Sequence, residues 1–222
     1  MPKTENTAGM SAILDPLARF LKSQGFRKTG GNFNRAVEDG LIQVLTFQMG
    51  RYEFGAREIP GIRHNLHGKF TVNIGILIPN ILRLEGFGKI DAKKVYNAAY
   101  CSISTRLGHV SPYAGDAWWS IQEPFPPISA EVQDLLKNYG LPFLDQFRRN
   151  KDIIDRFEQD RRLPGITDPG CRKIIGILYH AAGNHQAATA AFNEARSLVE
   201  KDHPFIQHVN LIESRIGELE GR

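Results

Sequence analysis

Between Lys69 and Pro79 the chain alternates without a break: Phe70, Val72, Ile74, Ile76 and Ile78 are bulky and apolar, with Thr71, Asn73, Gly75 and Leu77 between them. A period of two belongs to a strand, because successive side chains point to opposite faces of a sheet. The pattern predicts one face against a core and the other partly solvated, as in an antiparallel sheet covered on one side. Pro79 has no N–H to give to a strand ladder and ends the run.

Other elements group around this strand. Ile13, Leu14, Leu17, Phe20 and Leu21 recur at helical spacing, and Gly25-Phe26 reads as a glycine stop whose following apolar residue folds back on the last turn, so a first helix ends at Gln24. Asn32 to Val37 and Leu41 to Gln48 flank Glu38-Asp39-Gly40, a hairpin signal because Asp-Gly accepts positive φ. Cys101 to Leu107 and Ala117 to Gln122 are two shorter strand candidates joined by residues 108–115. Beyond the Pro-rich 123–127 segment, Ser129 opens a helix that Gly140 and Pro142 interrupt, and a second helix runs from about Phe143 to Leu163. Pro164, Gly165, Pro169 and Gly170 then mark a boundary.

The expected architecture is α+β: an antiparallel sheet of about four to five strands packed with helices over residues 11–163, then a helical extension over 168–222. Residues 1–10 are small and polar and read as a disordered tail. They lack the basic start and apolar run of a secretory signal, and the longest apolar stretch falls far short of the roughly 20 residues a membrane helix needs. Cys101 and Cys171 stand seventy positions apart without ligand spacing, which suits a reducing compartment. These features predict a cytoplasmic protein that does not engage a membrane. Residues 1–127 carry 15 Lys and Arg against 10 Asp and Glu, but these are spread through the sequence rather than clustered, and this argues against a dedicated nucleic-acid surface.

Several short segments occur in an order that resembles a bacterial family. They are Gly25-Phe26-Arg27-Lys28, the strand pair ending Phe47-Gln48, Phe70 to Ile76, Arg106-Leu107-Gly108, Asp116 ahead of Trp118-Trp119, and Gly140-Leu141-Pro142-Phe143. Across about residues 12–150 this is similar to the domain of unknown function 4304 family, while Tyr52 to His67 have no counterpart there. The resemblance implies an α+β domain and brings no catalytic residues with it. Further on, Ile175-Gly176-x2-Tyr179 followed by Ala188-x3-Phe192-x2-Ala195 resembles a single degenerate tetratricopeptide repeat, with Arg172 where the repeat prefers Trp and Glu200 where it prefers Pro. Asp168-Pro169 caps its first helix, Gly183-Asn184 turns the chain, and Phe205, Val209, Ile212, Ile216 and Leu219 form a stripe on a third helix that needs a partner surface.

No catalytic motif stands out. Gly30-Gly31-Asn32 and Gly86-Phe87-Gly88-Lys89 lack phosphate-loop spacing, and Gly-x-Ser-x-Gly does not occur. His64 and His67 near Glu58 are a weak metal signal without Cys or Asp support, and His180 and His185 straddle a turn as surface residues, so neither a metal nor a cofactor is expected. The most suggestive group is Arg106, Asp116, Trp118 and Trp119: neighbouring strand residues face opposite ways, so one Trp packs in the core while the other is partly exposed. The group reads either as a binding cleft or as a structural ion pair beside a core Trp. The long 50–68 segment, with Arg51, Tyr52, Arg57 and Arg63, is the second candidate surface.

The reading that follows is a non-enzymatic protein-binding or adaptor protein, with neutralisation of a toxin partner, an immunity-like role, as one form. It presents Trp119 and the long loop, and its C-terminal helices contact a protein partner or a second copy. One alternative is a small-substrate enzyme with Arg106, Asp116 and His109 in a cleft; another is a weak nucleic-acid binder.

Overall fold

The computed structural model describes residues 5–50, 65–88, 90–91, 93–122, 125–219 and 221. Helix α1 spans Glu5–Ser23. Residues 5–10 therefore belong to it, and Met10 is buried, which corrects the reading of a disordered tail for 5–10; residues 1–4 lie outside the described residues. The helix stops as the sequence indicates. Gly25 takes φ 85°, its N–H donates to Lys22 O at 3.0 Å, and the Phe26 N–H donates to Leu21 O at 3.0 Å, the paired bonds of a Schellman motif. Gly25→Ala forces a Cβ into left-handed backbone and should cost about 1 kcal/mol, or about 2–4 °C in Tm by calorimetry.

The hairpin forms as expected. β2 (Asn32–Ala36) pairs antiparallel with β3 (Ile42–Met49), and Asp39 and Gly40 take φ 54° and 74° between them. A short strand that the pattern did not reveal, β1 (Arg27–Thr29), adds to the outer edge of β2. β3 pairs along its whole length with β4 (Lys69–Leu77), and β4 pairs further with β5 (Ile103–Arg106) and β6 (Trp119–Ser120). The result is a six-stranded sheet ordered β1-β2-β3-β4-β5, with β6 also on β4. Pro79 both ends β4 and opens a short helix, α2 (Pro79–Leu84), since its missing N–H costs nothing in a first helical turn.

On the inner face of the sheet, Phe33, Leu45, Phe70, Val72, Ile74 and Ile76 join Ile13, Leu17 and Leu21 of α1 and Val132 of α4 (Phe125–Leu135) in one core. Gln43 is the polar exception on this face: its Nε2 donates to Leu144 O at 2.7 Å and its Oε1 accepts from Arg35 Nε at 2.7 Å, so it is buried with partners. Gly140 and Pro142 do not break the chain. A wide π turn over Leu136–Gly140 carries the helical path into α5 (Leu141–Asp145) and accommodates the missing Pro142 N–H. The break comes later, before α6 (Asn150–Asp160), where the Asp152 carboxylate accepts from the Arg148 and Arg149 N–H groups at 3.1 and 2.8 Å and starts a new helix.

The last three helices are α7 (Asp168–Ala181), α8 (His185–Ser197) and α9 (Pro204–Leu219). Thr167, not Asp168, caps α7, its hydroxyl accepting from the Gly170 N–H; Asp168 and Pro169 form the first turn. A Cβ built on Gly176 would stand 2.6 Å from Phe192 Cε1, so the glycine lets the Phe192 ring lie against the α7 backbone. The middle of the α9 stripe finds its surface within the chain: Val209, Ile212 and Ile216 are buried and α9 packs on α8 and α2, while Leu219 at the end of the stripe is exposed. Lys173 of α7 pairs with Glu85 at 2.5 Å beside the same junction. The chain turns at residues 164–170, yet Leu163 and Cys171 are buried on either side and one hydrophobic cluster runs from Met10 to Ile216.

Candidate functional site

The outer face of the sheet is divided in two. At one end Ile42, Val44 and Leu77 are apolar and, with Leu82 of α2, are covered by a strap containing Ile90, Tyr96, Ala98 and Cys101. The expectation of a partly solvated second face therefore holds only for the other end. The strap is fixed by side chains of the sheet: Asn34 donates to Tyr96 O at 2.9 Å and accepts from the Tyr96 N–H at 2.6 Å, and Thr46 Oγ1 accepts from the Ala98 N–H at 2.8 Å. Desolvation of the Cys101 thiol, which the strap packs against the sheet, pushes it up, so it stays protonated and is a poor nucleophile.

At the open end the same face becomes polar. By register, Asn32 (β2), Thr46 and Gln48 (β3), Asn73 (β4) and Arg106 (β5) stand side by side. They line a groove of about 1020 Å3 together with His109 and Asp116. Asn73 Nδ2 donates to Gln48 Oε1 at 2.9 Å, and Thr46 Oγ1 donates to Asn32 Oδ1 at 2.9 Å. These bonds hold the amides in place and leave the Gln48 N–H groups and the Asn73 carbonyl without a partner among the described residues.

The charged end of the groove is built by a tight turn. Arg106 closes β5, and α3 (Leu107–Val110) follows at once, bringing His109 beside it. A Cβ on Gly108 would stand 2.2 Å from Gly115 O and 2.7 Å from the Ala117 N, so only glycine lets the 111–115 loop fold back and return Asp116 to Arg106. Asp116 then accepts from Arg106 Nη1 through one oxygen, and the other lies 3.3 Å from His109 Nε2. The Arg106 guanidinium carbon sits 5.3 Å from the centre of the Trp118 ring. Arg106, Asp116, Trp118 and His109 are thus brought together by one ion pair, a His109–Asp116 contact and a cation–π contact.

Trp119 is not part of this surface, which corrects the reading that the domain presents it. Its side chain faces the core, 7% exposed, 5.6 Å from Phe70 between ring centres, with Nε1 donating to Glu131 at 2.8 Å. Trp118, half-buried, takes the outward place. Arg51, Tyr52, Arg57 and Arg63 lie outside the described residues. The groove amides were not singled out from the sequence; the signal for them was Thr46 and Gln48 alternating with Leu45 and Phe47, and Asn73 between Val72 and Ile74.

Residues 17–146 match the family model described as a domain of unknown function, DUF4304. The chain belongs to the DUF4304 family. The matched region runs from α1 through α5 and contains every strand and the polar lining of the groove, whereas α6 to α9 follow the DUF4304 region. No curated protein and no solved structure matches the chain. Among the described residues, no helix is long and apolar enough to cross a membrane, and no group of three or more His, Cys, Asp or Glu is placed to hold a metal ion.

Proposed function

We propose that this DUF4304 protein is a binding protein that takes an extended, uncharged segment of a partner protein into the outer-face groove. The observation that carries this reading is the pairing of Gln48 with Asn73, whose remaining donor and acceptor match the alternating N–H and C=O groups of an extended backbone. The charges of Arg106 and Asp116 oppose one another, which favours a neutral ligand over a phosphate backbone. The covered stripe of α9 supports placing the partner at the groove rather than on the C-terminal helices, where a second copy would have only residues such as Leu211 and Leu219 to meet. In the same reading α7 and α8 are a degenerate tetratricopeptide-like hairpin, supported by the Gly176–Phe192 contact and the buried Ala188 and Ala195.

The His109–Asp116 pair favours a second reading, a small-substrate enzyme with His109 as general base. A photo-crosslinking side chain in place of Ala99, which lines the groove and leaves the Gln48–Asn73 pair intact, separates the two. In lysate of the source organism it should join to one protein, and the crosslink should disappear with Asn73→Leu or Arg106→Ala but persist with His109→Ala. A crosslinked set identical to that from a probe at Tyr139 would remove the binding reading. Loss with His109→Ala alone would favour catalysis.

A further inference from the structure

His180 closes α7 and His185 opens α8, and their imidazoles meet across the turn. The two Nδ1 atoms stand 3.2 Å apart, with ring centroids 4.8 Å apart and planes inclined by 58°. Two imidazole nitrogens at about 2.0–2.1 Å from one zinc ion, at a tetrahedral angle, lie about 3.3 Å apart, and their ring centres about 5 Å apart. Both spacings fit the pair. A straight N–H···N bond between the rings would set the centres about 5.5 Å apart at the same nitrogen separation. The rings are therefore inclined to one another about the two nitrogens rather than lying end to end.

The turn that carries them is held from within. Ala182, Gly183 and Asn184 N–H groups donate to Leu178, His180 and Tyr179 carbonyls at 3.0, 2.9 and 2.9 Å, and the Asn184 side chain accepts from the Ala187 N–H at 3.1 Å. With α7 and α8 locked by Gly176 against Phe192, the two imidazoles are positioned before any ligand arrives, which lowers the ordering cost of binding. We propose that His180 and His185 form a two-imidazole site for a late first-row divalent cation, copper(II) or zinc, with its remaining positions open to water or to another ligand. The site is separate from the groove, so its success or failure does not bear on partner binding.

Titration calorimetry of the full chain with copper(II), zinc and magnesium salts tests this. The expected result is one equivalent of copper(II) bound more tightly than zinc, with no magnesium binding, since magnesium prefers oxygen ligands. His185→Ala and His180→Ala should each weaken binding at least about tenfold, and His203→Ala should leave it unchanged. Far-UV circular dichroism establishes that each variant remains folded, and His185→Gln replaces any variant that does not. Wild-type affinity in the folded His185 variant would overturn the proposal, as would no binding to the wild type; the contact would then be an imidazole–imidazole hydrogen bond only.

Discussion

Trp119→Ala is expected to lower the stability of the whole fold by about 3–5 kcal/mol, rather than to remove a partner contact. The indole is buried against Phe70, and β6 is joined to β4 at that residue, so its loss opens a cavity where two strands meet. It also leaves Glu131 without a donor that it accepts at 2.8 Å. Trp119→Phe separates these effects, keeping most of the ring volume and losing the hydrogen bond, at a cost of about 1–3 kcal/mol. Urea unfolding followed by circular dichroism measures both. A Trp119→Ala midpoint equal to wild type would mean that the indole is not a core residue.

Phe192→Ala is expected to cost a similar amount, about 3–5 kcal/mol, because the ring fills the space that Gly176 leaves beside the α7 backbone. Gly176→Leu attacks the same contact from the other side: a Cβ at that position already lies within 2.6 Å of the ring, so the two helices must separate. Both tryptophans of the chain, Trp118 and Trp119, stand on the sheet, whereas α7 to α9 contribute only to the helical signal. Indole fluorescence and circular dichroism therefore report on different parts of the molecule. Since one hydrophobic cluster joins them, Phe192→Ala should move both midpoints downward together. A shift confined to circular dichroism would mean that the helical extension unfolds independently of the sheet, and no shift in either would show that Phe192 is not packed as described.

Local signals were legible because each is complete within a few residues. The Schellman stop needs only Gly25 and Phe26, the hairpin only Asp39-Gly40 between two apolar runs, and β4 only its own alternation. Other local signs misled. Gly140 and Pro142 read as a helix stop, but the helical path continues through a π turn. Residues 143–163 read as one helix because both pieces share an apolar stripe, while Asp152 places the break by bonding backward to two N–H groups. β1 is three residues long and exposed, and only the neighbouring β2 makes it a strand.

The candidate site divides the same way. That Arg106, Asp116 and one Trp belong to one region follows from their closeness in the chain, and that the two tryptophans face opposite ways follows from strand geometry. Which of them faces the core depends on register against Phe70, 49 residues earlier in the chain. Likewise Asn32, Gln48 and Asn73 are unremarkable polar residues in three separate segments until the ladders of β2, β3 and β4 bring them side by side. The α+β class, the main strands and the helical hairpin could be read along the chain, because periodicity and turn chemistry are local. Which half of the outer face is covered, which Trp is exposed and which amides share a groove depend on long-range pairing between strands and on what packs over them, and emerge with the fold.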